Sequence, residues 1–128
     1  MKRILLDTCA LIWWLNGSSQ LGSVAKEYIA HANNDIYVSA ASIWEMSIKR
    51  QQGKLEAPAN LEEIIENLGF NPLAISLFHS EQAGNLPLHH KDPFDRMLIA
   101  QAQAEGLQII TQDKQFDSYG VKVIHASK

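Results

Sequence analysis

Arg3-Ile4-Leu5-Leu6-Asp7-Thr8 opens with three consecutive apolar residues and stops on a carboxylate. An apolar run without polar alternation suits a strand covered on both faces, as in a parallel sheet. Ile36–Ser39, Phe70–Ile75, Leu107–Thr111 and Val121–Ile124 repeat the pattern. Helical periodicity fills the intervals: Cys9–Leu15, Ser23–Ala32, Ser42–Gln52, Leu61–Leu68, Ser76–Asn85 and Pro93–Glu105, with Gly22, Gly53, Gly69 and Gly106 marking helix ends. Strands alternating with helices predict an α/β three-layer domain, its mainly parallel central sheet flanked by helices, over residues 1–128 as one unit.

In open α/β sheets ligands bind beyond the carboxyl ends of the strands. Asp7 ends the first strand, Asp113 lies just past the Leu107–Thr111 strand, and Glu45 is in the opening turns of the helix after Ile36–Ser39. Each acid also has a local reading. Asp7 and Asp113 suit helix N-caps, and Ser42-x-x-Glu45 has the form of a capping box. Asp95 is different. In Asp92-Pro93-Phe94-Asp95, Asp92 suits the cap and Pro93 the first helical position, while Asp95 shares a helix stripe with Leu98, Ile99 and Ala102. A capping acid has no need to face the core. Clustered carboxylates repel by about 3 kcal/mol per pair at ~5 Å and an effective dielectric of ~20. A fold that gathers four of them therefore calls for a cation, and hard oxygen ligands select Mg²⁺ or Mn²⁺ over zinc.

The composition is that of a globular domain without linker, repeat or low-complexity tract. Cys9 is the only cysteine, which excludes an intrachain disulfide and a cysteine-based zinc site and points to a reducing cytoplasm. Met1-Lys2-Arg3 and the apolar residues after it imitate a short signal segment. Asp7 argues against that reading, because a carboxylate in a membrane segment costs roughly 2.5–3.5 kcal/mol. No segment is long enough to span a bilayer, so no membrane partner is expected. Fourteen acids face eleven Lys and Arg for a net charge of −3, yet with four acids neutralised by metal the balance turns slightly positive. Charge neither excludes nor argues for a nucleic-acid substrate. His89-His90-Lys91 reads as a solvated loop before Pro93, and Cys9 as a small buried residue. Trp13-Trp14 and Trp44 read as core or interface residues. Walker, G-x-S-x-G and G-x-G-x-x-G motifs are missing.

Four segments together resemble the PIN-domain family, and within it the toxin nucleases of the VapC type. They are Leu5-Leu6-Asp7-Thr8, Ser39-Ala40-Ala41-Ser42-Ile43-Trp44-Glu45, His90-Lys91-Asp92-Pro93-Phe94-Asp95-Arg96-Met97-Leu98-Ile99-Ala100 and Thr111-Gln112-Asp113. They run in order from one end of the chain to the other, and the third is the most specific. The resemblance carries the family's acidic quartet onto Asp7, Glu45, Asp95 and Asp113, with Thr8 and Thr111 as accompanying polar residues.

What the resemblance implies is metal-assisted hydrolysis of RNA phosphodiester bonds leaving a 5′-phosphate, by the toxin of a toxin–antitoxin pair. Asp7 and Asp95 are the expected direct ligands of one or two Mg²⁺ (or Mn²⁺) ions, with Glu45 and Asp113 completing the shell or orienting water. It also implies a cognate antitoxin that inserts a peptide into the acidic groove, and a homodimer. Neighbouring helical residues point about 100° apart, so one of Trp13 and Trp14 should seek a second surface. That places the expected dimer contact near the tryptophans and the Ser23–Ala32 helix. Two rivals are a PIN-like module that binds RNA or protein without cleaving and a receiver-like regulatory domain. The first would be favoured by loss of a quartet acid, and none is missing. The second needs an acidic pair after the first strand and a late strand-end lysine. Here Asp7 is followed by Thr8, and Lys114 follows Asp113.

Overall fold

A computed structural model describes residues 1–128. The elements in order are β1 (Arg3–Leu6), α1 (Thr8–Asn16), α2 (Ser23–Ala30), β2 (Asp35–Ser39), α3 (Ala40–Gln51) and α4 (Leu61–Asn67). There follow β3 (Asn71–Leu73), α5 (Leu77–Asn85), α6 (Pro93–Glu105), β4 (Gln108–Thr111), a 3₁₀ turn (Lys114–Tyr119) and β5 (Val123–His125). The strands form one sheet in the order β3-β2-β1-β4-β5, and every neighbouring pair is parallel. The expected mainly parallel α/β sandwich is thus wholly parallel.

The consecutive apolar residues of β1 are explained by the two layers that cover it. Ile4 and Leu6 enter one core with Leu11 of α1, Ile29 of α2, Met46 of α3 and Ile65 of α4. Leu5, between them, enters the opposite core with Leu98 and Ile99 of α6 and Phe116 of the 3₁₀ turn. The chain builds β1, β2 and β3 outward, then crosses back to lay β4 on the other side of β1. The strand order therefore reverses between β1 and β4, and the crevice such a reversal opens lies at their carboxyl ends.

Helix ends follow local chemistry with a few revisions. Asp92 caps α6 and Pro93 takes its first position, while Gly106 at φ 67 closes it in the left-handed conformation. Ser39, not Ser42, caps α3, so that helix starts two residues earlier than its periodicity suggested. β3 is only three residues long, because as an edge strand containing Pro72 it pairs with β2 alone. α2 stops at Ala30, where His31 turns extended. No helix is long and apolar enough to cross a membrane.

Trp13 and Trp14 do not diverge to two surfaces as their spacing suggested. Both are half-buried and pack against the same core, because α1 is apolar around most of its circumference. Large apolar side chains that are strongly exposed include Met1, Leu77, Phe78, Leu88 and Trp44, with Val24 on α2 and Leu68 about half exposed.

Gly22 has an unexpected reason to be glycine. Its φ of −72° is open to any residue, but a Cβ there would lie 2.2 Å from the Lys128 carbonyl carbon and 2.5 Å from that of Ser127. Its N–H donates to the Ala126 carbonyl at 2.8 Å, so the two backbones touch. Gly22→Ala should cost about 1–3 kcal/mol, the scale of overpacking a filled site. Equilibrium urea unfolding reads this directly, and Gly17→Ala, where a Cβ would meet nothing but φ is +63°, separates steric from conformational strain.

Candidate active site

Asp7 follows β1 directly and caps α1, its Oδ1 accepting the Ala10 N–H at 2.8 Å. Its Oδ2 accepts from Thr111 Oγ1, at the end of neighbouring β4, at 2.5 Å. The same threonine oxygen accepts the Asp113 N–H at 3.1 Å. Asp113 caps the 3₁₀ turn through Gln115 N–H at 2.9 Å. For both aspartates, capping and lining the crevice are compatible uses of one side chain.

Glu45 lies in the second turn of α3 and belongs to no capping box. Ser42, the expected cap, is fully buried and bonds Thr8 Oγ1 at 2.9 Å, joining the starts of α1 and α3. The true capping box is Ser76 with His79 at the start of α5. Glu45 Oε2 accepts Lys49 Nζ at 2.8 Å, one helical turn on. Its Oε1 is buried without a hydrogen-bond partner, a state that costs about 1–3 kcal/mol or more for a charged group.

Asp95 sits at the third position of α6, where Asp92 Oδ1 accepts its N–H at 3.2 Å. Its Oδ2 lies 3.1 Å from His90 Nε2, and the same nitrogen lies 2.7 Å from Asp113 Oδ2. His90 was read from sequence as part of a solvated loop, but it is 7% exposed. Its partners lie five and twenty-three residues away; the segment His90–Ala100 places it beside Asp95 in sequence, while its contact with Asp113 is set by the fold alone.

Asp7, Glu45, Asp95 and Asp113 all line one hollow of about 440 Å³, with Lys49 and Asp92 beside them. Burial, with neighbouring carboxylates adding to it, raises the proton affinities of Asp7 and Asp95. Burial, opposed by the Thr111 and Ala10 hydrogen bonds and reinforced by Asp113 and Glu45, pushes Asp7 up to about 6. Asp95 is pushed up to about 7, first by burial and then by Asp92, Asp7 and Glu45, against the pull of His90. Cys9, half-buried beside Asp7, is pushed up to about 11 by burial and that carboxylate, so it is not a thiolate nucleophile.

This donor set fits a hard divalent cation. It consists of carboxylate oxygens, one of them buried without a partner, held together against mutual repulsion. Asp7, Glu45 and Asp95 could supply oxygens. His90, Asp95 and Asp113 also place one donor atom each within 4.8 Å of one another.

Asp7 and Asp95 bind protons more tightly folded than unfolded. The stability they contribute is full below their ordinary value of 3.8 and is lost as pH rises through about 6 to 7. Metal-free protein should therefore melt lower near pH 8 than near pH 5. Asp95→Asn should flatten that slope and melt above wild type at pH 8, whereas Asp92→Ala should lose about 1 kcal/mol of capping. Thermal melts across pH in chelator check both, and an Asp95→Asn protein that melts below wild type at pH 8 contradicts the repulsion argument.

Comparison with known proteins bears on the family and the fold. The PIN domain family matches residues 4–122. Ribonuclease VapC22 of Mycobacterium tuberculosis is 25% identical over 122 residues, which is 93% of each chain. A toxin-antitoxin complex from Klebsiella pneumoniae contains a chain of the same fold, with a TM-score of 0.68 at 21% identity over 96% of this chain and 97% of that one. The sarcin-ricin loop cleaving toxin VapC20 of M. tuberculosis superposes with a TM-score of 0.65 at 17% identity, covering 92% of this chain and 95% of its own. With a match that spans nearly the whole domain and takes in every segment of the acidic hollow, this chain belongs to the PIN domain family, and the relatives it resembles there are of the VapC type.

Proposed function

We propose that this protein is an Mg²⁺- or Mn²⁺-dependent endoribonuclease, the toxin of a toxin–antitoxin pair, with Asp7, Glu45, Asp95 and Asp113 as its catalytic acids and Asp7 and Asp95 as the principal metal ligands. The observation that carries the reading is the convergence of these four sequence-distant carboxylates on one hollow at the carboxyl edge of the sheet. RNA as the substrate is supported by the activities named for VapC22, a ribonuclease, and VapC20, which cleaves the sarcin-ricin loop.

A bound divalent cation would neutralise charge on the scissile phosphate and lower the proton affinity of an attacking water. The chain's own residues do the rest. Thr111 and the Ala10 N–H hold both oxygens of Asp7 in place, so its direction is set before any ligand arrives. Glu45, anchored at Oε2 by Lys49, keeps Oε1 free to accept a proton or a water hydrogen bond. Lys49 is about half exposed at the rim of the hollow, where its ammonium can meet a backbone phosphate. Asp113 stands beside Asp7 through their shared threonine and can orient water on that side.

An antitoxin partner is supported by the toxin-antitoxin complex among the structural neighbours. A homodimer is supported by the exposed Leu77, Phe78 and Leu88 at the two ends of α5. Val24, also exposed, stands on α2, the helix of the expected contact, so that face keeps apolar area to cover as well.

Purified protein incubated with total and structured RNA should cleave it in Mg²⁺ or Mn²⁺ and stop when EDTA is added. Glu45→Gln should lower kcat/KM on the order of 10²–10³-fold, the scale of removing one preorganised electrostatic group, with the fold intact by circular dichroism. Cleavage that persists in chelator would defeat the metal mechanism. Light scattering should give twice the chain mass for wild type and a smaller mass for Leu77→Glu combined with Phe78→Glu. A wild type that stays monomeric at high micromolar concentration removes the dimer.

A further inference from the structure

His90 grips two of the acids from behind without lining the hollow. Its Nδ1 accepts the backbone N–H of Asp92 at 3.2 Å. A nitrogen that accepts carries a lone pair, so in the neutral ring the proton sits on Nε2, which donates to Asp113 Oδ2 at 2.7 Å with Asp95 Oδ2 standing 3.1 Å away. For Nε2 to ligate a metal, that proton would have to move to Nδ1, where it would face the Asp92 N–H head-on. The tautomer that the loop imposes is a donor toward the acids, not a ligand.

The ring is held from several directions. Its edge packs against Phe116 at 5.8 Å and 88°. The His90 backbone N–H donates to the Tyr119 hydroxyl at 2.7 Å, and its backbone carbonyl accepts from Arg96 Nη1 at 3.0 Å. The buried Arg96 guanidinium also collects the carbonyls of Ala83 and Leu86, both at 2.8 Å, and of Pro87 at 3.0 Å. Arg96 directly follows Asp95 on α6. One turn of helix therefore offers Asp95 to the hollow and clamps the loop that carries His90.

We infer that His90 is a positioning residue whose Nε2–H ties Asp95 on α6 to Asp113 beyond β4 and presents both carboxylates, already oriented, to a divalent cation that it does not itself ligate. The inference rests on the nuclease reading above. Without the donor, Asp113, whose side chain is 35% exposed, keeps only the Oδ1 tether to the Gln115 N–H, so its Oδ2 is open to water and cation binding must then order it. Outer-shell donors of this kind change metal affinity by about 10–100-fold when removed.

The test is calorimetric titration of Mg²⁺ and Mn²⁺ into wild type, His90→Phe and His90→Gln, with ¹⁵N spectra of the wild-type imidazole before and after Mg²⁺. His90→Phe should bind either cation about 10–100-fold more weakly. His90→Gln, whose amide N–H reaches the place of Nε2, should recover most of the loss. Nε2 should stay protonated in both wild-type states. Wild-type affinity in His90→Phe, no recovery in His90→Gln, or a deprotonated Nε2 in the Mg²⁺-loaded protein each overturns the assignment, the last by making His90 a ligand. Should His90→Phe fail to fold, the Gln variant and the imidazole spectrum decide, and a Gln variant that folds but loses the cation overturns it. A wild type that binds Mn²⁺ and cleaves no RNA sinks the nuclease reading while the binding comparison still decides His90. A wild type that binds neither cation overturns both.

Discussion

Asp7 lies at the carboxyl end of the central strand, 5% exposed, and an unpaired carboxylate in that place would cost several kcal/mol. Thr111 Oγ1 on β4 and the Ala10 N–H at the start of α1 take its two oxygens and make the burial tolerable. The threonine bond joins residues 104 apart in sequence across the β1–β4 reversal. It sets where β4 ends relative to β1, and so where Asp113 begins its turn. The remaining site is built around this contact: Thr8 reaches Ser42 to place α3 and Glu45, while Asp113 meets His90, which meets Asp95.

The site is assembled from helix N-termini. Asp7, Ser39, Asp92 and Asp113 each cap the element that follows them. The backbone N–H groups that need caps are also a partial positive charge facing the crevice. They lessen the repulsion among acids that the crevice brings together, though burial, with the remaining repulsion, still holds Asp7 and Asp95 above ordinary proton affinities. In the proposed nuclease a hard cation would complete the compensation, and the partnerless oxygen of Glu45 marks where local chemistry stops short.

Two aromatic side chains flank this arrangement from outside. Trp44 precedes Glu45 and Phe94 precedes Asp95, and their rings meet edge-on at 5.2 Å. Since neighbours on a helix point about 100° apart, each aromatic leaves its helix beside the acid and not with it. The contact braces α3 against α6 at the level of the site. It also accounts for an exposed tryptophan that sequence alone assigned to a core or an interface.

The local sequence determined the elements and the edge at which function would sit. Short apolar runs, caps, and glycines at helix ends act over a few residues, and their physics is readable without knowing the fold. The four acids were legible as a set because each stands at or just beyond a strand end or in the opening turns of a helix. Whether each was cap or site lining was not legible, because at Asp7 and Asp113 one side chain does both. Only the tertiary structure decided that Ser42 serves Thr8 and not Glu45, that Gly22 yields space to the Lys128 backbone, and that both tryptophans of α1 share one core. His90 is the clearest case. Its burial depends on a loop whose carbonyls are gathered by Arg96 and on two aspartates delivered by different elements. Asp95 and Arg96 are near His90 in sequence, but the contact with Asp113 exists only once the chain has closed on itself.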